Sequence, residues 1–144
     1  MDKILLTGSE GFIGKHFKKA LPEADYLDLK TGDDIRSFLP DKDYTHVLHL
    51  AALKSVPLSD NIPREFIETN CWGTLNIARK YPKARIINIS SSSAYEYISV
   101  YGLTKKFTEL LSNYHKNFLS VRLFNVFGEG QLPDSGALIP NALL

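Results

Sequence analysis

A short apolar run, Lys3 to Thr7, breaks into a turn with glycines at 8, 11 and 14, and a helical pattern then runs from Phe12 to Leu21, where Pro22 stops it. No other feature constrains the fold as much, because a glycine turn that follows a strand and opens a helix belongs to a parallel sheet. In the spacing G-x-x-G-x-x-G each glycine has a task. Gly8 makes the tight turn, Gly11 lets the backbone approach a pyrophosphate, and Gly14 brings helix and sheet together. The helix start adds free N–H groups and the positive end of its dipole. Gly8, Gly11, Phe12, Ile13 and Gly14 are therefore candidate dinucleotide contacts.

The rest of the chain alternates strand and helix. Strands are expected at Asp25–Leu29, Thr45–Ala52, Ala84–Ser90 and Phe118–Phe127. One or two helical turns are expected at Asp34–Leu39, before Pro40, and long helices at Arg64–Tyr81 and Val100–Asn117. The stretches Pro57–Pro63 and Gly128–Pro140 read as loops. This alternation predicts a doubly wound α/β domain, a parallel sheet with helices on both faces, formed by residues 1–144 as one unit.

Composition excludes several classes of partner. Seventeen basic residues against sixteen acidic ones leave a formal charge of +1, which gives no footprint for nucleic acid or an anionic membrane surface. The single cysteine, Cys71, fits a reducing compartment, and a strand-like N-terminus without a leader points to the cytoplasm. No run is long enough to span a membrane. His16, His46, His49 and His115 have no metal-ligand spacing, so no metal is expected, and His49 reads as a packing residue at a strand end.

Two features carry chemistry. Asp28 closes the second strand, where a carboxylate accepts hydrogen bonds from the adenosine ribose of NAD and repels the 2′-phosphate of NADP. Asp34 and Ile35 follow almost at once, leaving a compact sheet edge near the adenine. Tyr101 and Lys105 stand one helical turn apart and share a face. An ammonium beside a phenol favours the phenolate, and lowering its pKa by ~3 units takes roughly 4 kcal/mol. A serine run, Ser90 to Ser93, precedes the pair.

Together these residues resemble the extended short-chain dehydrogenase/reductase superfamily, in its nucleotide-sugar epimerase/dehydratase branch. Thr7–Gly14 is similar to the TGxxGFIG cofactor turn, and His49-Leu50-Ala51-Ala52 to the HxAA strand end that lies along the cofactor. Leu53–Leu58, with Asn70, Gly73 and Thr74 downstream, resembles a segment of the bacterial UDP-sugar enzymes in which the lysine matching Lys54 reaches the cofactor phosphates. Arg122–Gly128 is similar to RxxNVxG, whose asparagine, here Asn125, contacts the sugar nucleotide. The resemblance implies an NAD cofactor, with Tyr101 as the proton-exchanging group and Lys105 as its partner. Ser91 is expected to hold the substrate oxygen, with Ser92 as runner-up. Asn70 either positions Lys105 through water or only packs.

The chain departs from the branch in three ways. Members run to roughly twice this length. Ser92 and Ser93 stand where the dehydratases carry an acid and a lysine, which places epimerase ahead of dehydratase. The stretch from Ser93 to Tyr101 is short. A keto-sugar reductase and a non-catalytic NAD(H)-binding module are the competing readings. The apolar residues of the two long helices, among them Trp72, Phe107, Leu110 and Tyr114, predict a homodimer seam.

Overall fold

A computed structural model describes residues 2–131. Five parallel strands form one sheet in the order β2-β1-β3-β4-β5: β1 Ile4–Thr7, β2 Asp25–Leu27, β3 His46–His49, β4 Arg85–Ser91 and β5 Phe118–Leu123. The chain runs outward from β1 to β2, then returns to the other side of β1, so β1 and β3 meet where the winding reverses. Ligands of such sheets sit at that reversal, beyond the carboxyl ends of the strands.

The period of two along each strand sorts the residues between faces. Leu5, Val47 and Ile86 pack against Ile77, Ala78 and Tyr81 and against Leu111, all buried. The opposite face carries Ile4, Leu48, Ile87 and Ile89. The first helix, α1 Phe12–Ala20, lays Ile13 and Phe17 on it, beside an apolar groove of about 520 Å³ that runs on to Val121 and Leu123.

The expected long helix at 64–81 is three joined segments: α3 Pro63–Phe66, a π-helical stretch Ile67–Trp72, and α4 Gly73–Lys80. A wide turn inside a helix often marks a functional position, and this one carries Asn70. Helix α5 Val100–Leu110 ends before Asn117, in a tight turn over Leu111–Asn113.

Two expectations are corrected. The segment 57–63 is not a loop: α2 Val56–Asn61 forms there, with Pro57 in its first turn and the Ser55 hydroxyl accepting the Leu58 N–H at 3.3 Å. A proline in the first helical turn costs nothing, because its missing N–H has no partner there. The strand 118–127 stops at Leu123 because its partner β4 stops at Ser91, the residue paired with it. Asp34–Leu39 makes one turn, with the Ser37 and Phe38 N–H groups on the Asp34 carbonyl. Beyond Gln131 the expected loop lies outside the described residues. No helix among the described residues is long and apolar enough to cross a membrane.

Candidate functional site

The glycine turn is built as the spacing requires. Gly8 takes φ +74°, and a Cβ there would lie 2.6 Å from the Ala51 nitrogen. A Cβ on Gly14 would lie 2.0 Å from the Gly8 carbonyl oxygen. Gly11 caps α1 with no side-chain hydrogen bond, so the first N–H groups of the helix stay open to a ligand. Open N–H groups, bare glycine backbone and the dipole are what a diphosphate needs. Phe12 and Ile13 start the helix, with Ile13 turned onto the sheet.

Asp28 stands where the strand reading placed it, buried at the end of β2. One carboxylate oxygen accepts the Glu10 N–H at 2.8 Å and the other the Lys30 N–H at 2.8 Å. Each oxygen keeps a lone pair for a ribose hydroxyl. Asp34 is engaged differently. Its carboxylate takes Arg36 at 2.6 to 2.9 Å, and this holds the acid below the ordinary range. The Ile35 side chain is buried against Gly73, where an added Cβ would meet it at 2.6 Å, which leaves only its backbone for a ligand.

On the other side of the reversal, Leu50, Ala51 and Ala52 leave β3 half-buried, and Lys54 is exposed. Asn70 fixes this segment. Its carbonyl oxygen accepts the Leu53 N–H at 2.8 Å, and its amide donates to the Leu53 carbonyl and to the Thr104 hydroxyl, both at 3.0 Å. Asn70 thus ties the Lys54 segment to α5 by direct bonds, and its contact on α5 is the residue before Lys105. Ser55, next to Lys54, is held at φ +107°, a strained conformation for a side-chain-bearing residue.

Tyr101, Lys105 and Ser91 come together. The Ser91 side chain acts on Tyr101 to lower its pKa, but burial has the larger effect and pushes the phenol up. Lys105 is buried and donates to the Ile89 carbonyl at 2.8 Å, with Nζ 5.9 Å from the Tyr101 ring centre. Burial pulls its pKa down to about 8. One of the three ammonium donors is thus directed to the strand carbonyl, and burial is the largest influence on Tyr101. Ser92 sits in the tight turn Ser92–Ala94, which the Ser91 hydroxyl caps by accepting the Ser93 N–H at 3.2 Å. Asn125 is exposed beyond the end of β5.

Several contributors were not read from the sequence. Helix α2 caps α5: Ser59 accepts the Tyr101 N–H at 3.0 Å and Asp60 the Val100 N–H at 3.1 Å. Ser99 accepts the Gly102 N–H at 3.0 Å. Gly102 admits the serine turn, since a Cβ there would lie 2.6 Å from the Ser93 carbonyl. Ser55 two residues before Pro57 was the legible sign of α2.

His49 is more than packing. Thr74 donates to the Asn70 carbonyl at 2.5 Å, so its oxygen accepts the His49 Nε2–H at 2.9 Å. Nδ1 then accepts the Thr7 hydroxyl at 2.6 Å, and the imidazole is neutral. Burial, helped by Lys105, lowers its pKa to about 3. In the unfolded chain an ordinary histidine binds its proton near pH 6.5. The unfolded state therefore binds more protons between about pH 6.5 and 3, and stability falls as pH falls through that window, by up to ~1.4 kcal/mol per pH unit. Denaturant titrations across the window should give a slope in the wild type that His49→Gln reduces by the share of one proton, the depressed carboxylates Asp25, Asp34 and Glu109 supplying the rest. Imidazole ¹⁵N shifts at neutral pH should place the proton on Nε2.

Among the described residues no three of His, Cys, Asp or Glu cluster as metal ligands do. A family model described as polysaccharide biosynthesis protein matches residues 25–141. The uncharacterized protein MJ1055 of Methanocaldococcus jannaschii is 30% identical, over 91% of this chain and 58% of its own length. UDP-glucose 4-epimerase 3 of Oryza sativa is 27% identical, over 98% of this chain and 54% of its own. The chain thus spans little more than half the length of these relatives. Among solved structures, TunA, an NAD-dependent NDP-hexosamine 5,6-dehydratase of tunicamycin biosynthesis, superposes with a TM-score of 0.83 at 26% identity, covering 98% of this chain and 60% of TunA. The glycine turn, the strand order and these matches agree: the chain belongs to the polysaccharide biosynthesis protein family, in the nucleotide-sugar epimerase/dehydratase branch of the extended short-chain dehydrogenase/reductases.

Proposed function

We propose that the chain binds NAD across the carboxyl ends of β1 and β3 and acts on a nucleotide-sugar as an epimerase. The observation that carries this reading is buried Lys105, with Nζ 5.9 Å from the Tyr101 ring centre and bonded to Ile89, two residues before Ser91 on β4. When bound, NAD supplies the acceptor and donor of hydride. Tyr101 exchanges the proton of the sugar hydroxyl, and Ser91 holds the oxygen that bears it. Lys105 anchors α5 to the end of β4 and presents its charge to the same space. Ser92 and Ser93 offer no general acid for a leaving hydroxyl, which favours epimerase over dehydratase. Asn125 is the residue for the sugar nucleotide, and Lys54 for the cofactor phosphates. Residues 1–144 act as one cofactor-binding unit in a reducing cytoplasm.

The test is incubation with UDP-, GDP- and dTDP-sugars at high concentration, with chromatographic analysis of the products. Epimerases recycle their cofactor, so an optical signal alone misses turnover. Interconversion of sugar epimers is the expected result. A protein that binds NAD(H) and converts none of these sugars is a cofactor-binding module instead.

We also propose a homodimer through the face shared by α5 and the π-helical stretch. Leu103, Phe107 and Leu110 recur at helical spacing on α5 and are exposed, as are Tyr114 just beyond it and Ile67 and Trp72 on the neighbouring segment. Contiguous apolar exposure of this kind marks an interface. Sedimentation at micromolar concentration should give twice the 16.2 kDa monomer mass, and Leu103→Glu with Phe107→Glu should restore the monomer. A wild type that sediments as a monomer removes the proposal.

A further inference from the structure

Glu10 lies inside the glycine turn, and its backbone N–H is bonded to the Asp28 carboxylate at 2.8 Å. The Glu10 backbone is therefore held against the carboxylate read as the ribose partner. The Glu10 side chain pairs with Lys18 at 2.5 Å, and Lys18 lies 5.0 Å from the centre of the Tyr26 ring. The charges of Lys15 and Lys30 also reach Glu10 and lower its pKa, and Lys18 also feels Asp28. Lys18 is thus paired beside Asp28 at the end of β2, and two further lysines add positive charge there. Cations at this place suit the 2′-phosphate that distinguishes NADP from NAD. Asp28 alone does not cancel them.

The geometry points to Glu10 as a second determinant of dinucleotide choice: it occupies Lys18 and cancels a lysine cluster that would otherwise bind a 2′-phosphate. This rests on the reading of the turn as the dinucleotide site. Glu10 and Lys18 are both partly exposed, and an ion pair of this kind adds little to stability, so the fold tolerates its removal. Glu10→Gln removes one negative charge and frees one positive charge. Near a phosphate in largely aqueous surroundings, that change is worth roughly a factor of ten in affinity. The gain is electrostatic and exposed, so it shrinks as salt rises.

Calorimetric titration of the full chain with NADH and NADPH tests this in the wild type, Glu10→Gln, Lys18→Ala and the double variant. Glu10→Gln should bind NADPH about tenfold more tightly, with NADH affinity changed less than threefold. The double variant should lose most of that gain, because Lys18 supplies it. Asp28→Ala separates the two roles: it should weaken NADH, which Glu10→Gln does not. If wild type binds NADH and Glu10→Gln leaves NADPH affinity within twofold of wild type, the inference fails while the site reading stands. If the gain persists undiminished in the double variant, the assignment to Lys18 is wrong and the inference fails with it. A wild type that binds neither dinucleotide overturns the site reading and the inference together.

Discussion

Tyr101→Phe should lower turnover by roughly 10²- to 10⁴-fold, the range of a single acid–base group, and leave NAD(H) affinity nearly unchanged. The substitution removes only the hydroxyl. The ring keeps its edge-to-face contact with Phe66, whose centroid is 6.4 Å away, and its backbone N–H stays on Ser59. Ser91 keeps the Ser93 N–H at 3.2 Å. Lys105→Ala should behave differently. Its ammonium holds the Ile89 carbonyl from a buried position, so its loss leaves that carbonyl unpaired and opens a cavity at the end of β4. Both turnover and cofactor affinity should fall. Product analysis and calorimetry on the two variants separate the roles. Turnover in Tyr101→Phe within a few fold of wild type would show that the phenol is not the proton-exchanging group.

Gly14→Ala should abolish NAD(H) binding and destabilise the fold by about 3 kcal/mol, the upper range for overpacking. The added Cβ would sit 2.0 Å from the Gly8 carbonyl oxygen and 2.9 Å from two further backbone carbons of the turn. Backbone cannot swing aside as a side chain does, so α1 must move off the turn. That shift carries away the open N–H groups that face the diphosphate. Gly130→Ala makes the control: nothing lies within 4 Å of its Cβ, and only the strain of its positive φ remains. Denaturant unfolding and NADH titration read the two effects. A Gly14→Ala protein of wild-type stability and affinity would sink the assignment of the turn.

The sequence alone determined the local elements whose signals are local. Gly8, Gly11 and Gly14 announced the turn because their lack of a side chain is itself the function. The apolar strands announced themselves because a sheet covered on both faces excludes polar residues from its middle. Tyr101 and Lys105 were legible because four residues on a helix always share a face. Asp28 was legible from its place at a strand end.

Only the tertiary structure decided what depends on distant partners. It turned 57–63 into a helix, because Ser59 and Asp60 find the free N–H groups of α5 some forty residues downstream. It gave Asn70 its bonds to Leu53 and Thr104, and it set the tautomer of His49 through Thr7 and Thr74. It aimed Lys105 at the Ile89 carbonyl and left the phenol to burial and to Ser91. It also paired Glu10 with Lys18 beside Asp28. Spacing fixes which residues share a face; which hydrogen bond or charge each one meets, and hence its pKa, depends on contacts that form only when the sheet closes.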